Sequence, residues 1–224
     1  MNKNFALKIF ASILGFAGMA MISYVLYPIA SYELSAREKY PELLSPVPEG
    51  TGLIDYSSEY DTTLASNWFP GGAKKEDFSS SNISYFTISI PRLKIDAATV
   101  SVGGEDLSKN LIQYPGTALP GKTGNTVIFG HSVLPIFYDP KSYITIFSTL
   151  PTLKKGDEIN ISFDGIAYKY AVENMFEVMP ADLEVLDQDT SQSYLSLVTC
   201  VPPGHPLKPK RLVVRAKLIP WNTN

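Results

Sequence analysis

From Ile9 to Tyr32 the chain carries no Asp, Glu, Lys or Arg, and apolar residues dominate the stretch. Ile9 to Ile29 is long enough to cross a bilayer core of roughly 30 Å as one helix. Residues 1–30 hold Lys3 and Lys8 and no acid, whereas residues 31–82 hold four basic and nine acidic side chains. This asymmetry predicts a cytoplasmic N-terminus (1–8), a transmembrane signal anchor (9–30) and an extracytoplasmic remainder at the cell membrane. A cleaved signal peptide shares the basic start, but its apolar core is about 7–15 residues and ends at a small-x-small site. The run here is longer and reads as an uncleaved anchor; a mature N-terminus near Ser31 would mark the other reading.

With the anchor set aside, roughly 190 of the 224 residues remain, enough for one sizeable core and too few for a large multidomain assembly. Residues 83–224 hold thirteen basic and thirteen acidic side chains, and no segment has the basic excess that nucleic-acid binding needs, which excludes that class. An exported chain can use disulfides, yet there is one cysteine, Cys200, which cannot pair within the chain. It is either a small buried hydrophobe or a nucleophile.

Residues 31–82 read as an extracytoplasmic linker: Pro41, Pro46, Pro48 and Pro70, Gly71-Gly72, Ser57-Ser58 and a serine run at 79–81 interrupt any apolar period. Good helix formers between Tyr32 and Tyr40 could prolong the membrane helix. Asn67-Trp68-Phe69-Pro70 sets two large aromatics in this polar region. They either pack on the following domain or cover a binding groove as a lid.

From Ile83 the pattern changes to short β-like runs broken by Gly, Pro and Asp: 84–90, 98–102, 125–129, 158–163, 166–172, 175–179, 194–199 and 211–219. Such runs suggest a closed or nearly closed all-β domain over 83–224, with helical turns near Leu107–Ile112 and Ile144–Leu150. In the run before the cysteine, Leu195 and Leu197 share one face; Tyr194, Ser196, Val198 and Cys200 share the other.

Two histidines could take a proton from the thiol, His131 and His205. His131 is preferred because it ends the run Thr126 to Gly130, whereas His205 sits in the loop Pro202-Pro203-Gly204-His205-Pro206. Attack on an amide also develops charge on the carbonyl oxygen, which fixed donors must meet. Arg211 is suited to that task, being permanently charged with a fork of donors. Arg215 lies on the same strand face.

Leu197-Val198-Thr199-Cys200 followed by Arg211-Leu212-Val213-Val214-Arg215 resembles the catalytic signature of sortases, membrane-anchored cysteine transpeptidases of bacterial surfaces. The resemblance extends through Ile90–Ala97, Tyr114–Gly121, Gly124–His131, Lys155–Ile159 and Val178–Asp182. It implies a mainly β fold, a closed eight-stranded barrel with one or two short helices behind the membrane helix. It also implies Cys200 as nucleophile, His131 as acid/base partner and Arg211 as the residue holding the reacting carbonyl, with Val198 and Thr199 as substrate-binding candidates. The implied reaction cleaves an LPxTG-like sorting signal of surface proteins and passes the acyl group to an amine of a cell-wall precursor or another subunit. No cofactor is required on this reading; the scattered acids Asp106, Asp157 and Glu158 are too ordinary to assign a calcium site, and no metal ligand is assigned. Two departures argue against a pilin polymerase: no second apolar segment follows Trp221, and no aspartate leads Trp68-Phe69. Other readings are a cell-wall cysteine peptidase or L,D-transpeptidase, or a membrane-tethered β-barrel binding module with Cys200 merely buried.

Overall fold

The computed structural model describes residues 3–40, 61–78 and 84–220. Pro41, Pro46, Pro48, Ser57-Ser58 and the serine run at 79–81, all assigned to the linker, lie outside the described residues, as do Ile83 and Trp221. Helix α1 (Lys3–Lys39) is about 55 Å long at 1.5 Å per residue and is apolar enough to cross a membrane. It runs past the apolar stretch through Tyr32, so the helix-forming residues there do prolong it.

Eight strands follow: β1 (Ser84–Ile90), β2 (Ile95–Val102), β3 (Leu111–Gln113), β4 (Gly124–Phe129), β5 (Glu158–Phe163), β6 (Ile166–Val178), β7 (Ser193–Val201) and β8 (Lys210–Leu218). They close into a barrel in the order β1-β2-β3-β4-β7-β8-β6-β5, with parallel pairs β2·β3 and β4·β7 and the rest antiparallel. These directions bring the ends of β1, β4, β6 and β7 and the starts of β2, β3, β5 and β8 to one mouth. Closure removes every sheet edge and leaves two faces to fill.

The strand total agrees with expectation through two compensating differences. β6 is a single strand bulged between Val172 and Asn174 against β8, and the extra residue breaks the period so that the sequence reads as two. β3, where a helical turn was expected, is three residues long and buried throughout, so it shows no alternation. Short 3-10 turns replace α-helix in the barrel domain, among them Pro91–Leu93, Pro135–Phe137, Leu150–Thr152 and Leu183–Leu186.

Alternate residues build two apolar layers. Ile88, Ile90, Val100, Ile159, Leu195, Leu197, Leu212 and Val214 fill the interior. Val127, Phe129, Phe176, Val198, Cys200 and Val213 form an outer layer over β4, β6, β7 and β8. Residues 61–78 cover that layer: Ala65, Trp68, Phe69 and Phe78 are buried in it. This part of the expected linker is therefore folded structure. Pairing of Leu64 with Asp106, and bonds from Ala65 N to Glu105 O (3.0 Å) and Gly104 N to Phe78 O (2.6 Å), fasten it to the connection between β2 and β3.

Candidate active site

β4 and β7 are parallel neighbours, in register to Phe129↔Val198, and β7 pairs with β8 at Cys200↔Arg211. Extending the first register by two residues sets His131 beside Cys200. Residues of the β7–β8 hairpin and of the segment just past β4, about 70 residues earlier, thus come together at the barrel mouth. Neighbouring strands lie about 4.8 Å apart, close enough for their side chains to interact.

Local chemistry fixes the crossing. Gly130 N–H donates to Val198 O (3.2 Å), Thr199 Oγ1 donates to Gly130 O (2.8 Å), and Ser132 Oγ donates to Cys200 O (2.6 Å). Gly130 itself is dictated by space, since a Cβ there would lie 2.5 Å from Phe147 Cδ2 and 2.6 Å from Leu111 Cδ2. His131 O then accepts from Phe147 N–H at 3.0 Å, which holds the turn out of β4.

Thr199, expected to contact substrate, is buried and bonded to the main chain. Pleating turns its side chain to the face opposite Cys200, where it is fully buried and spent on Gly130. Val198 shares the cysteine's layer, beneath the aromatic cover. Arg215 is placed away from the centre: its Nε donates to Ser196 Oγ (3.3 Å) and its guanidinium lies over Phe176 and Tyr194. Ser132, which ties the two strand ends, carries no local sequence signal; its role depends on which strand β4 pairs with.

The Trp68 indole stacks on Phe129 with centroids 5.1 Å apart, tilts against His131 at 5.8 Å and lies 5.3 Å from Arg211 Cζ. Its Nε1–H donates to Thr62 O at 2.8 Å. Arg211 donates to Lys208 O (2.9 Å) and Lys210 O (3.2 Å) through one terminal nitrogen, and to Trp68 O (3.3 Å) through the other. Cys200, His131 and Arg211 are all buried under this cover. His131 Nε2 and Arg211 Nε, both buried, find no hydrogen-bond partner among the described residues. An unsatisfied buried polar group costs about 1–3 kcal/mol.

His205 and His131 both line a groove of roughly 380 Å³ beside the cover, with Leu134, Phe137, Ile144 and Lys208. His205 Nδ1 accepts from Leu207 N–H (3.2 Å) within its own loop. Of the two histidines, only His131 stands in register with the cysteine. The acids considered for calcium are dispersed: Asp106 pairs with Lys109 (2.9 Å), Asp157 with Arg92 (3.1 Å) and Glu158 with Lys169 (3.1 Å).

Burial, reinforced by the like charge of Lys208, pushes the His131 imidazole down to about 4 from an ordinary 6.5. Between those values the unfolded chain binds a proton that the covered histidine refuses. The stabilising contribution is therefore intact above about pH 6.5 and is lost as pH falls toward about 4. The thermal midpoint is expected to drop over this window, with part of the slope missing in His131→Gln. Identical slopes in the two proteins would contradict the assignment.

The comparisons agree with the barrel fold. The chain is 27% identical over 132 residues to Sortase A of Streptococcus agalactiae and 30% identical over 117 residues to Sortase A of Bacillus anthracis. These matches cover 58% and 51% of the chain, which spans about half the length of each of those curated relatives. Among solved structures it is similar to the Clostridium perfringens Sortase D5 transpeptidase (26% identity, TM-score 0.52, 65% of this chain and 93% of that one). It is likewise similar to sortase C1 of Streptococcus suis (28% identity, TM-score 0.52, 63% of this chain and 74% of that one). The family model for the sortase domain matches residues 88–219, from the middle of β1 to just past β8, and the chain belongs to the sortase family.

Proposed function

We propose that this chain is a membrane-anchored cysteine transpeptidase that cleaves an LPxTG-like C-terminal sorting signal and transfers the acyl fragment to an amine. The observation that carries the reading is the register: Cys200 and Arg211 are paired on β7 and β8, and His131 lies two residues past the end of β4, in line with Cys200 when the β4·β7 register is extended. In the reaction, His131 accepts the Cys200 proton and the thiolate attacks the carbonyl carbon of the scissile amide. Arg211 donates to the carbonyl oxygen as charge develops there. The C–N bond breaks, His131 returns the proton to the leaving amine, and a thioester remains on Cys200. An incoming amine attacks the thioester carbonyl, passes its proton to His131, and the C–S bond breaks to restore the thiolate. The acceptor is a cell-wall precursor or another surface subunit. α1 serves as the anchor, with its N-terminus cytoplasmic and the barrel outside.

Residues 61–78 act in this scheme as a lid. Arg211 already donates to a carbonyl, that of Trp68, at 3.3 Å. The lid must therefore leave before the sorting signal enters. The burial of Cys200 also suits the binding-module reading, in which the thiol stays inert until the domain unfolds. The deciding experiment incubates the full chain with a peptide library and identifies adducts on Cys200 by intact-protein mass spectrometry. A thioester carrying the N-terminal part of a sorting-signal peptide is expected. A muropeptide adduct would assign the chain to cell-wall peptidases, and absence of any adduct would favour the binding module.

A further inference from the structure

The end of α1 does not stand clear of the barrel. Ala36 and Tyr40 are buried in the interior apolar cluster, and both Lys39 Nζ and Tyr40 Oη donate to Pro151 O at 2.8 Å. Tyr32 Oη donates to Glu177 Oε1 (2.7 Å), whose other oxygen pairs with Lys210 Nζ (3.0 Å). Glu177 lies next to the end of β6, Lys210 starts β8, and Pro151 is in the connection from β4 to β5, so every one of these contacts is at the barrel mouth that carries Cys200. Tyr32 lies only about 4.5 Å along the helix from Ile29, where the apolar run ends. The rim bearing Glu177 and Lys210 is thereby tied to the part of α1 just past its apolar run.

Two independent features of the same mouth fit a lipid surface. Outside α1, the exposed large apolar residues among the described residues number eight. Five of them, Ile136, Phe137, Ile144, Met179 and Leu207, are in connections at this mouth; Tyr85, Ile166 and Ile219 are at the opposite end. Phe137 and Leu207 are 61% and 67% exposed, Phe137 also lining the groove beside His131. The three connections that close the mouth, 91–94, 130–157 and 202–209, carry six basic residues, Arg92, Lys94, Lys141, Lys154, Lys155 and Lys208, against Asp139 and Asp157; beside them Glu177 is paired with Lys210, and Asp182 follows Met179. In a chain of net charge −3 this is a local reversal of sign. Apolar tips among cations are what an interfacial surface needs, the first entering the headgroup boundary and the second meeting lipid phosphates.

We propose that the mouth of the barrel rests on an anionic bilayer surface, with Phe137 and Leu207 inserted in the headgroup layer and the surrounding basic residues facing lipid phosphates. The proposal needs α1 to span the bilayer and is independent of the catalytic reading. It is tested on the full chain carrying Cys200→Ala, reconstituted in nanodiscs of phosphatidylglycerol and phosphatidylethanolamine. Phe137→Cys, Leu207→Cys, Tyr85→Cys and Ile166→Cys are introduced singly, labelled with a fluorophore and quenched by headgroup-nitroxide lipid; circular dichroism checks the fold of each. Quenching at 137 and 207 is expected to be at least about twice that at 85 and 166, and to approach it in wholly zwitterionic discs. Equal quenching at both ends, or stronger quenching at 85 and 166, overturns the proposal. So does failure of the chain to co-purify with the discs. Weak quenching everywhere, with 137 and 207 shielded only on adding an anionic wall polymer, overturns it in favour of that partner.

Discussion

Cys200→Ala is expected to abolish release of the leaving peptide, with turnover falling at least about 10⁴-fold. The sequence holds no second thiol, and no other nucleophile shares the register with His131 and Arg211. The substitution removes one buried sulfur from a layer of apolar side chains, so the fold should survive with a modest loss of stability. Peptide cleavage followed by chromatography, with a thermal melt as control, checks both halves. Full activity in the alanine protein would end the cysteine mechanism. A protein that is inactive and unfolded would instead show that the sulfur is needed for packing.

Trp68→Ala has the second large effect, and of opposite sign. Trp68 is completely buried, stacks on Phe129 and supplies the carbonyl that Arg211 holds. Truncating a buried tryptophan costs about 3–5 kcal/mol, and 1.4 kcal/mol is a factor of ten in an equilibrium. That loss falls on the closing of the cover, because the interior layer of the barrel does not include Trp68. The open population therefore rises steeply, and kcat/KM is expected to increase at least about tenfold until opening is no longer limiting. Methanethiosulfonate labelling of Cys200 should accelerate in parallel. Unchanged labelling, with activity reduced, would make Trp68 a wall of the substrate groove rather than its cover.

Much of this arrangement is legible in the sequence, for physical reasons that differ by element. The charge-free run after Lys8 and the alternation in β1, β7 and β8 each come from a single dominant period, helical apolarity or the two-residue pleat. β3 and β6 fail on the same criterion, one because both its faces are buried and the other because a bulge shifts the phase after Val172. His131, Cys200 and Arg211 are nameable because each ends or starts a recognisable run. Their meeting is not, since it depends on the parallel pairing of β4 with β7, which no local signal encodes. Trp68 stood out as an aromatic in polar surroundings, and the polar composition of 61–78 hid that its backbone is fastened to Asp106 and Glu105. The absence of an aspartate before Trp68 likewise gave no warning, because the cover holds Arg211 with a main-chain oxygen, which any residue type could supply.

The parallel β4·β7 pair also sets the order in which reactivity can arise. Gly130 and Thr199, bonded across it, are 69 residues apart, with β5 and β6 in the intervening chain. Such non-local pairing forms late relative to local structure. Arg211 arrives only with β8, the final strand. A chain emerging N-terminus first therefore has Trp68 synthesised before Cys200 and Arg211, but the layer that Trp68 packs on, from β4, β6, β7 and β8, is complete only when β8 has joined the barrel.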